Sequence, residues 1–256
     1  MKLQSSIRQA VLRRLIATPR GRAHVLSLMI AAEEGDEAGV FDQLLQKADD
    51  PKLEQLIRRH QADEHRHAGM YRACLERNGV EPEPVPDSLM IIRRVARVAG
   101  GAFARGESTR SAAGILTRED VMNTYALLLA IEERGVEQFP LIGAEFRRIG
   151  DHETADTFDR VAKDERRHTR YCRAIGRRYA PDIPTWESAV QKYARLEARA
   201  FKQVGLAGLL YAVRRGLLWA KPDSKPCRPL TAWARLGGGN DAGLQNVCAS
   251  LEKFRE

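Results

Sequence analysis

The sequence predicts an all-α protein, a four-helix bundle with one long crossover and additional C-terminal helices. Three observations carry this. Charged residues make up 30% of the 256-residue chain and aromatic ones 6%, which suits long helices rather than a β-sandwich. Residues 23–79 and 121–179 read as two copies of one helical hairpin. Within each copy, the positions expected to face inward recur at three- and four-residue spacing, the period of one stripe on an α-helix.

Taken in order, residues 1–22 form a basic amphipathic arm. Arg13 and Arg14 interrupt its apolar run, which argues against a secretory signal peptide and makes the cytoplasm the expected compartment. The first hairpin covers 23–79. Its first helix carries the stripe Ser27, Ile30, Glu34, Glu37, Phe41, Leu44 and Ala48; its second carries Leu53, Ile57, His60, Glu64, His67, Tyr71 and Cys74. Asp49-Asp50-Pro51 separates them, with an N-cap residue before a proline able to open a helix. Residues 80–120 form the crossover. The prolines Pro82, Pro84 and Pro86 exclude a helix at its start, 88–99 reads as a short helix, and 100–114 is a glycine-rich loop.

The second hairpin, 121–179, repeats the pattern. Its first stripe is Tyr125, Leu128, Glu132, Gly135, Phe139, Ile142, Phe146 and Ile149, with a kink expected at Pro140. After Gly150-Asp151, the second stripe is Ala155, Phe158, Ala162, Glu165, His168, Cys172 and Ile175. The remaining 180–256 is a basic helical extension.

The stripes contain the chemistry. Carboxylates and imidazoles are costly in a bundle core unless they are paired or bind cations. Glu64-His65-Arg66-His67 and Glu165-Arg166-Arg167-His168 each place a carboxylate and an imidazole one turn apart on one helix face. Each Glu-x-x-His follows an aspartate, and each lies about 30 residues after an inward glutamate. A lone Glu-x-x-His is usually a solvated pair. Two copies, with one further glutamate from each remaining helix, give the inward constellation of a di-metal carboxylate bundle.

On these motifs the chain resembles the ferritin-like superfamily, rubrerythrin-type proteins in particular, over roughly 116 residues, under half its length. The resemblance implies two iron ions, with manganese or a mixed iron–manganese pair as alternatives that carboxylate and imidazole ligands also suit. It implies Glu34 and Glu132 as terminal ligands, Glu64 and Glu165 as bridges, and His67 and His168 as nitrogen ligands. Glu33 and Glu133 are alternates, because they sit about 100° around their helices from the favoured carboxylates. Asp63 and Asp164 lie where residues that orient a metal-bound imidazole are found. Glu37 is an extra, mobile ligand candidate, and Gly135, its counterpart, leaves an open position. His60 is read as a hydrogen-bonded core histidine. Tyr71, Tyr125, Cys74 and Cys172 are read as core.

The expected function is a di-iron oxidoreductase acting on O₂ or peroxide, a peroxidase or hydroxylase. The four cysteines contain no C-x-x-C pair, so the rubredoxin-like site of complete rubrerythrins is missing, and electrons must come from a donor protein or the substrate. Alternatives are a ferroxidase or iron-handling protein, a ferritin-like tRNA-modifying hydroxylase, and a metal-free structural bundle. The net charge of +8 is uneven: 1–22, 91–118 and 173–235 are basic, while 23–90 and 119–172 are acidic. The basic blocks either neutralise the acidic ones or meet an anionic membrane or nucleic acid. No stretch of about 20 apolar residues exists. The run 201–219 is an interfacial helix or, by preference, one packed on the bundle or on a second copy in a homodimer.

Overall fold

The computed structural model describes residues 2–34, 40–42, 44–45, 48, 51–99 and 117–218. Seven α-helices of nine residues or more are described: α1 (Lys2–Ala17), α2 (Pro19–Glu34), α3 (Pro51–Arg77), α4 (Ile91–Ala99), α5 (Arg118–Arg148), α6 (His152–Tyr179) and α7 (Ile183–Arg214). No strand occurs among the described residues, so the all-α expectation holds there.

Local chemistry sets the helix ends. Thr18 accepts a hydrogen bond at Oγ1 from the Gly21 amide at 3.0 Å, ahead of Pro19. The α2 helix therefore opens four residues before the expected start of the first hairpin. At the head of α5 the Thr117 hydroxyl accepts from the Asp120 amide while the Asp120 carboxylate accepts from the Thr117 amide, a reciprocal capping box. Asp151 accepts from the Thr154 amide at 3.0 Å and opens α6. Asp182 does the same for α7 through the Thr185 amide. Pro140 does not end α5. It sits on an exposed turn and the helix runs on to Arg148.

Helices α2 and α3 pack as one hairpin, α5 and α6 as the other, and α3 lies against α6. Asp63 pairs with His168 and His67 with Asp164, so α3 and α6 run antiparallel. The predicted stripes of these two helices are buried throughout, from Leu53 to Cys74 and from Ala155 to Ile175. Two apolar clusters lie at opposite ends of the bundle. One gathers Phe41, Leu44, Ile57, Tyr125, Leu128 and Cys172. The other gathers Leu26, Tyr71, Cys74, Phe146, Phe158 and Val161. The buried carboxylates and histidines fall between them.

The described parts of the flanking segments pack on the bundle. Arg13 of α1 reaches the buried Glu145 of α5 at 3.1 Å. Helix α7 lies along α5, where Arg134 holds the buried Glu197 through two bonds of 3.0 and 2.8 Å. It also fits α6 through Trp186. A Cβ at Gly176 would come within 2.2 Å of that indole, so only glycine admits the ring in this position. The described part of 201–219 also packs on the bundle, with the Arg134 guanidinium over the Phe201 ring and Tyr211 stacked on His24. Among the described residues no helix is long and apolar enough to cross a membrane.

Candidate metal centre

Four carboxylates and three imidazoles meet in the bundle interior. Glu33, Glu64, Glu132 and Glu165 are at most 7% exposed, and His60, His67 and His168 at most 1%. They come from all four bundle helices: Glu33 from α2, His60, Glu64 and His67 from α3, Glu132 from α5, and Glu165 and His168 from α6.

Their donor atoms sort into two groups whose members each lie within 4.8 Å of one another: Glu33, Glu64, His67 and Glu165, and His60, Glu64, Glu132 and His168. In the first, His67 Nδ1 is 3.4 Å from Glu33 Oε2, 3.7 Å from Glu64 Oε2 and 3.4 Å from Glu165 Oε1. In the second, His168 Nδ1 is 3.1 Å from Glu64 Oε1 and 3.7 Å from Glu132 Oε2, and it also lies 2.9 Å from Oε2 of Glu165 of the first group. Glu64 and Glu165 each turn one oxygen toward His67 and the other toward His168, the disposition of a bridging carboxylate.

The imidazoles are oriented from outside. His67 Nε2 lies 3.3 Å from Asp164 Oδ2, and His168 Nε2 lies 3.3 Å from Asp63 Oδ2. A carboxylate can only accept, so in a neutral ring the hydrogen sits on Nε2 and the Nδ1 lone pair is aimed into the cluster. The aspartates are fixed in turn. Arg66 donates to Asp63 at 2.8 Å and to Asp164 at 2.6 Å. Arg167 donates to Asp164 at 2.7 Å and to Asp63 at 2.5 Å. Burial resists charge on Asp63, but Arg66, Arg167 and His168 outweigh it and hold this carboxyl at about 2. Asp164 is held down in the same way, chiefly by Arg66. The repeated unit is therefore Asp-Glu-x-Arg-His, and the arginine common to both copies is a signal visible in the sequence.

The donor set fits a pair of divalent cations. His67 Nδ1, His168 Nδ1, Glu64 Oε1 and Glu165 Oε2 are buried without a hydrogen bond of acceptable geometry. A buried polar atom left so costs about 1–3 kcal/mol, more when charged. Donors around an ion with bonds of about 2.1 Å stand about 3.0–3.4 Å apart, close to the separations above. Four carboxylates facing neutral imidazoles are also balanced by two divalent ions. Without them the cluster holds protons instead. Burial pushes Glu165 well above the ordinary carboxylate range, with Glu132 and Glu64 adding to the push. Burial opposes charge on His168 and His60 too, yet the facing carboxylates raise both.

Several expected positions move. Glu34 is turned out of the core and ion-pairs with Arg72, whereas its neighbour Glu33 is the buried carboxylate. The reason is the packing of α2. Leu26, fully buried, lies two turns before Glu33 on the same face, and that face, not the one through Glu34, meets α3. The repeat already held this signal, since aligning Met29-Ile30 with Leu128-Leu129 pairs Glu33 with Glu132. Glu133 is directed outward to Arg173, at 2.7 Å. Gly135 leaves no opening: a Cβ there would lie 3.3 Å from Glu165 Cγ and 3.2 Å from the Phe139 ring, so the missing side chain makes room for Glu165. Glu37 lies outside the described residues. Tyr71, Tyr125, Cys74 and Cys172 are buried core residues.

Comparison with protein-family models, curated proteins and solved structures finds no match to this chain.

Proposed function

We propose that the chain is a ferritin-like dinuclear iron oxidoreductase that acts on dioxygen or peroxide. The observation that supports it is the pair of donor groups sharing Glu64, with Glu165 turned toward both histidines and four buried donor atoms left without a hydrogen bond.

In this reading Glu33, His67, Glu132 and His168 hold one metal position each as carboxylate–imidazole pairs, and Glu64 and Glu165 hold both. When bound, a pair of Fe(II) ions supplies two electrons to the oxidant, one from each ion. The protein's own work is positional. Asp63 and Asp164 fix the two imidazoles so that Nδ1 faces inward, and Arg66 and Arg167 keep those aspartates ionised. The two apolar clusters keep bulk water from the carboxylates, which strengthens each charge interaction inside. The buried sulfurs Cys74 and Cys172 lie in opposite clusters, so they form no thiolate pair at the site. Electrons for repeated turnover come from a donor protein or an organic substrate.

Anaerobic loading with Fe(II), followed by stopped-flow mixing with O₂ and separately with H₂O₂, tests this. Oxidation of both ions of the pair, faster than for free Fe(II), is expected with at least one oxidant. Loaded protein inert to both overturns the reading.

A further inference from the structure

The two hairpins are unlike at one buried position. Four residues before the bridging Glu64 stands His60, and four residues before the bridging Glu165 stands Val161. Both are sealed from solvent, at 1% and 0%. Val161 belongs to an apolar cluster. His60 instead places Nε2 3.0 Å from Glu64 Oε1 and 3.0 Å from Glu132 Oε1. One N–H cannot serve two carboxylate oxygens equally well, but a nitrogen lone pair can share a cation with both. Glu64, Glu132 and His168 are the other members of the same donor group, and His168 Nδ1 is 3.1 Å from that Glu64 oxygen. The ring is held in place by Phe41 at 4.6 Å between centroids, His168 at 4.1 Å and Tyr171 at 5.0 Å.

We infer that His60 is a metal ligand and that it makes the two metal positions chemically unequal. With Glu165, which also faces His168, the position built by His60, Glu64, Glu132 and His168 offers two imidazoles and three carboxylates. The position built by Glu33, Glu64, His67 and Glu165 offers one imidazole and three carboxylates. Imidazole favours zinc, iron and the later divalent ions, while a carboxylate-rich set suits manganese. The nitrogen-rich position therefore fills first with zinc, and the pair accommodates two different metals, manganese taking the place with one imidazole. This inference rests on the dinuclear reading above, and zinc as the probe separates the two because it needs no redox chemistry.

The protein loaded with two equivalents of Zn(II) is to be measured by X-ray absorption, which counts imidazoles from their outer-shell scattering. Three imidazoles per zinc pair are expected; two overturns the inference and leaves the dinuclear reading standing. Calorimetric titration with Zn(II) supplies the second arm. The parent protein is expected to show two resolved steps, and His60→Gln to weaken the tighter one by roughly tenfold or more while leaving the other unchanged. A His60→Gln isotherm superposable on the parent's overturns the inference. A parent protein that binds no zinc removes both readings together. Should His60→Gln fail to fold, the imidazole count of the parent decides alone.

Discussion

The two hairpins that build the centre were shaped by one pattern and yet differ in how their carboxylate helices are packed. Helix α5 is enclosed on several sides, by α6, α7 and α1, and its buried face is broad, running unbroken from Thr124 to Ala130 before Glu132. Helix α2 meets mainly α3 and α1, and its buried run stops at Ser27, with Glu33 the next buried residue. On such a helix a carboxylate one position away is turned outward: Glu34 pairs with Arg72 at the surface. The lesson is that α3 and α6, each buried along one narrow stripe, fix where Glu64, His67, Glu165 and His168 meet, whereas the burial of the carboxylates on α2 and α5 depends on which neighbours those helices acquire.

Substitutions that break the equivalence of the hairpins follow from this. The largest effect is expected from Glu64→Ala and Glu165→Ala, each of which removes a carboxylate that faces both positions. Either variant, assayed by metal analysis after anaerobic reconstitution, is predicted to lose the paired site. Next comes the contrast on α2. Glu33→Ala is predicted to lower metal content substantially and Glu34→Ala to leave it near the parent value; the reverse order would mean that Glu34 faces the metals in solution.

A smaller and symmetrical effect is expected at the aspartates. Asp63→Asn and Asp164→Asn each remove the acceptor that orients the histidine of the opposite hairpin. Each is predicted to weaken metal affinity by about 10- to 100-fold, by similar factors, in competition titrations against a chelator. Unequal losses would show that the two imidazoles do not rely equally on this clasp. The smallest effect concerns packing alone. Gly176→Ala sets a methyl group against the Trp186 ring and is predicted to cost about 1–3 kcal/mol in denaturant unfolding, with metal stoichiometry unchanged.

The pH dependence separates metal-free from loaded protein. Glu165, His60 and His168 all bind protons more tightly in the folded metal-free chain than when unfolded. Their contribution is full below the unfolded values, 4.5 for the carboxyl and 6.5 for the imidazoles, and is lost as pH rises through the folded ones. Metal-free protein should therefore lose thermal stability as pH rises above about 6.5, while metal, which replaces those protons, removes the loss. Melting curves that fall equally with and without metal would contradict this.

Much of this was legible in the sequence because burying charge is expensive and a repeat restricts where charge can go. The stripes from Leu53 to Cys74 and from Ala155 to Ile175 are buried throughout, since one three–four spacing fits a helix with a single covered face. The phase of α2 was not legible from its own residues. Ile30-Glu34 and Leu26-Glu33 are both acceptable stripes, and only contact with α3 and α1 chooses between them. His60 was visible as an inward residue, but its place beside Glu132 and His168 depends on how three helices approach. Gly135 reads as a gap only until the neighbouring helix delivers Glu165 into it.

The central claim is a dinuclear metal centre, and metal analysis of the full chain after anaerobic reconstitution with Fe(II) tests it most directly. Two ions per chain are predicted, falling to a small residue when Glu64 or Glu165 is replaced by alanine. Folded protein that retains no iron, manganese or zinc after reconstitution, or one whose metal content is indifferent to both replacements, would contradict it.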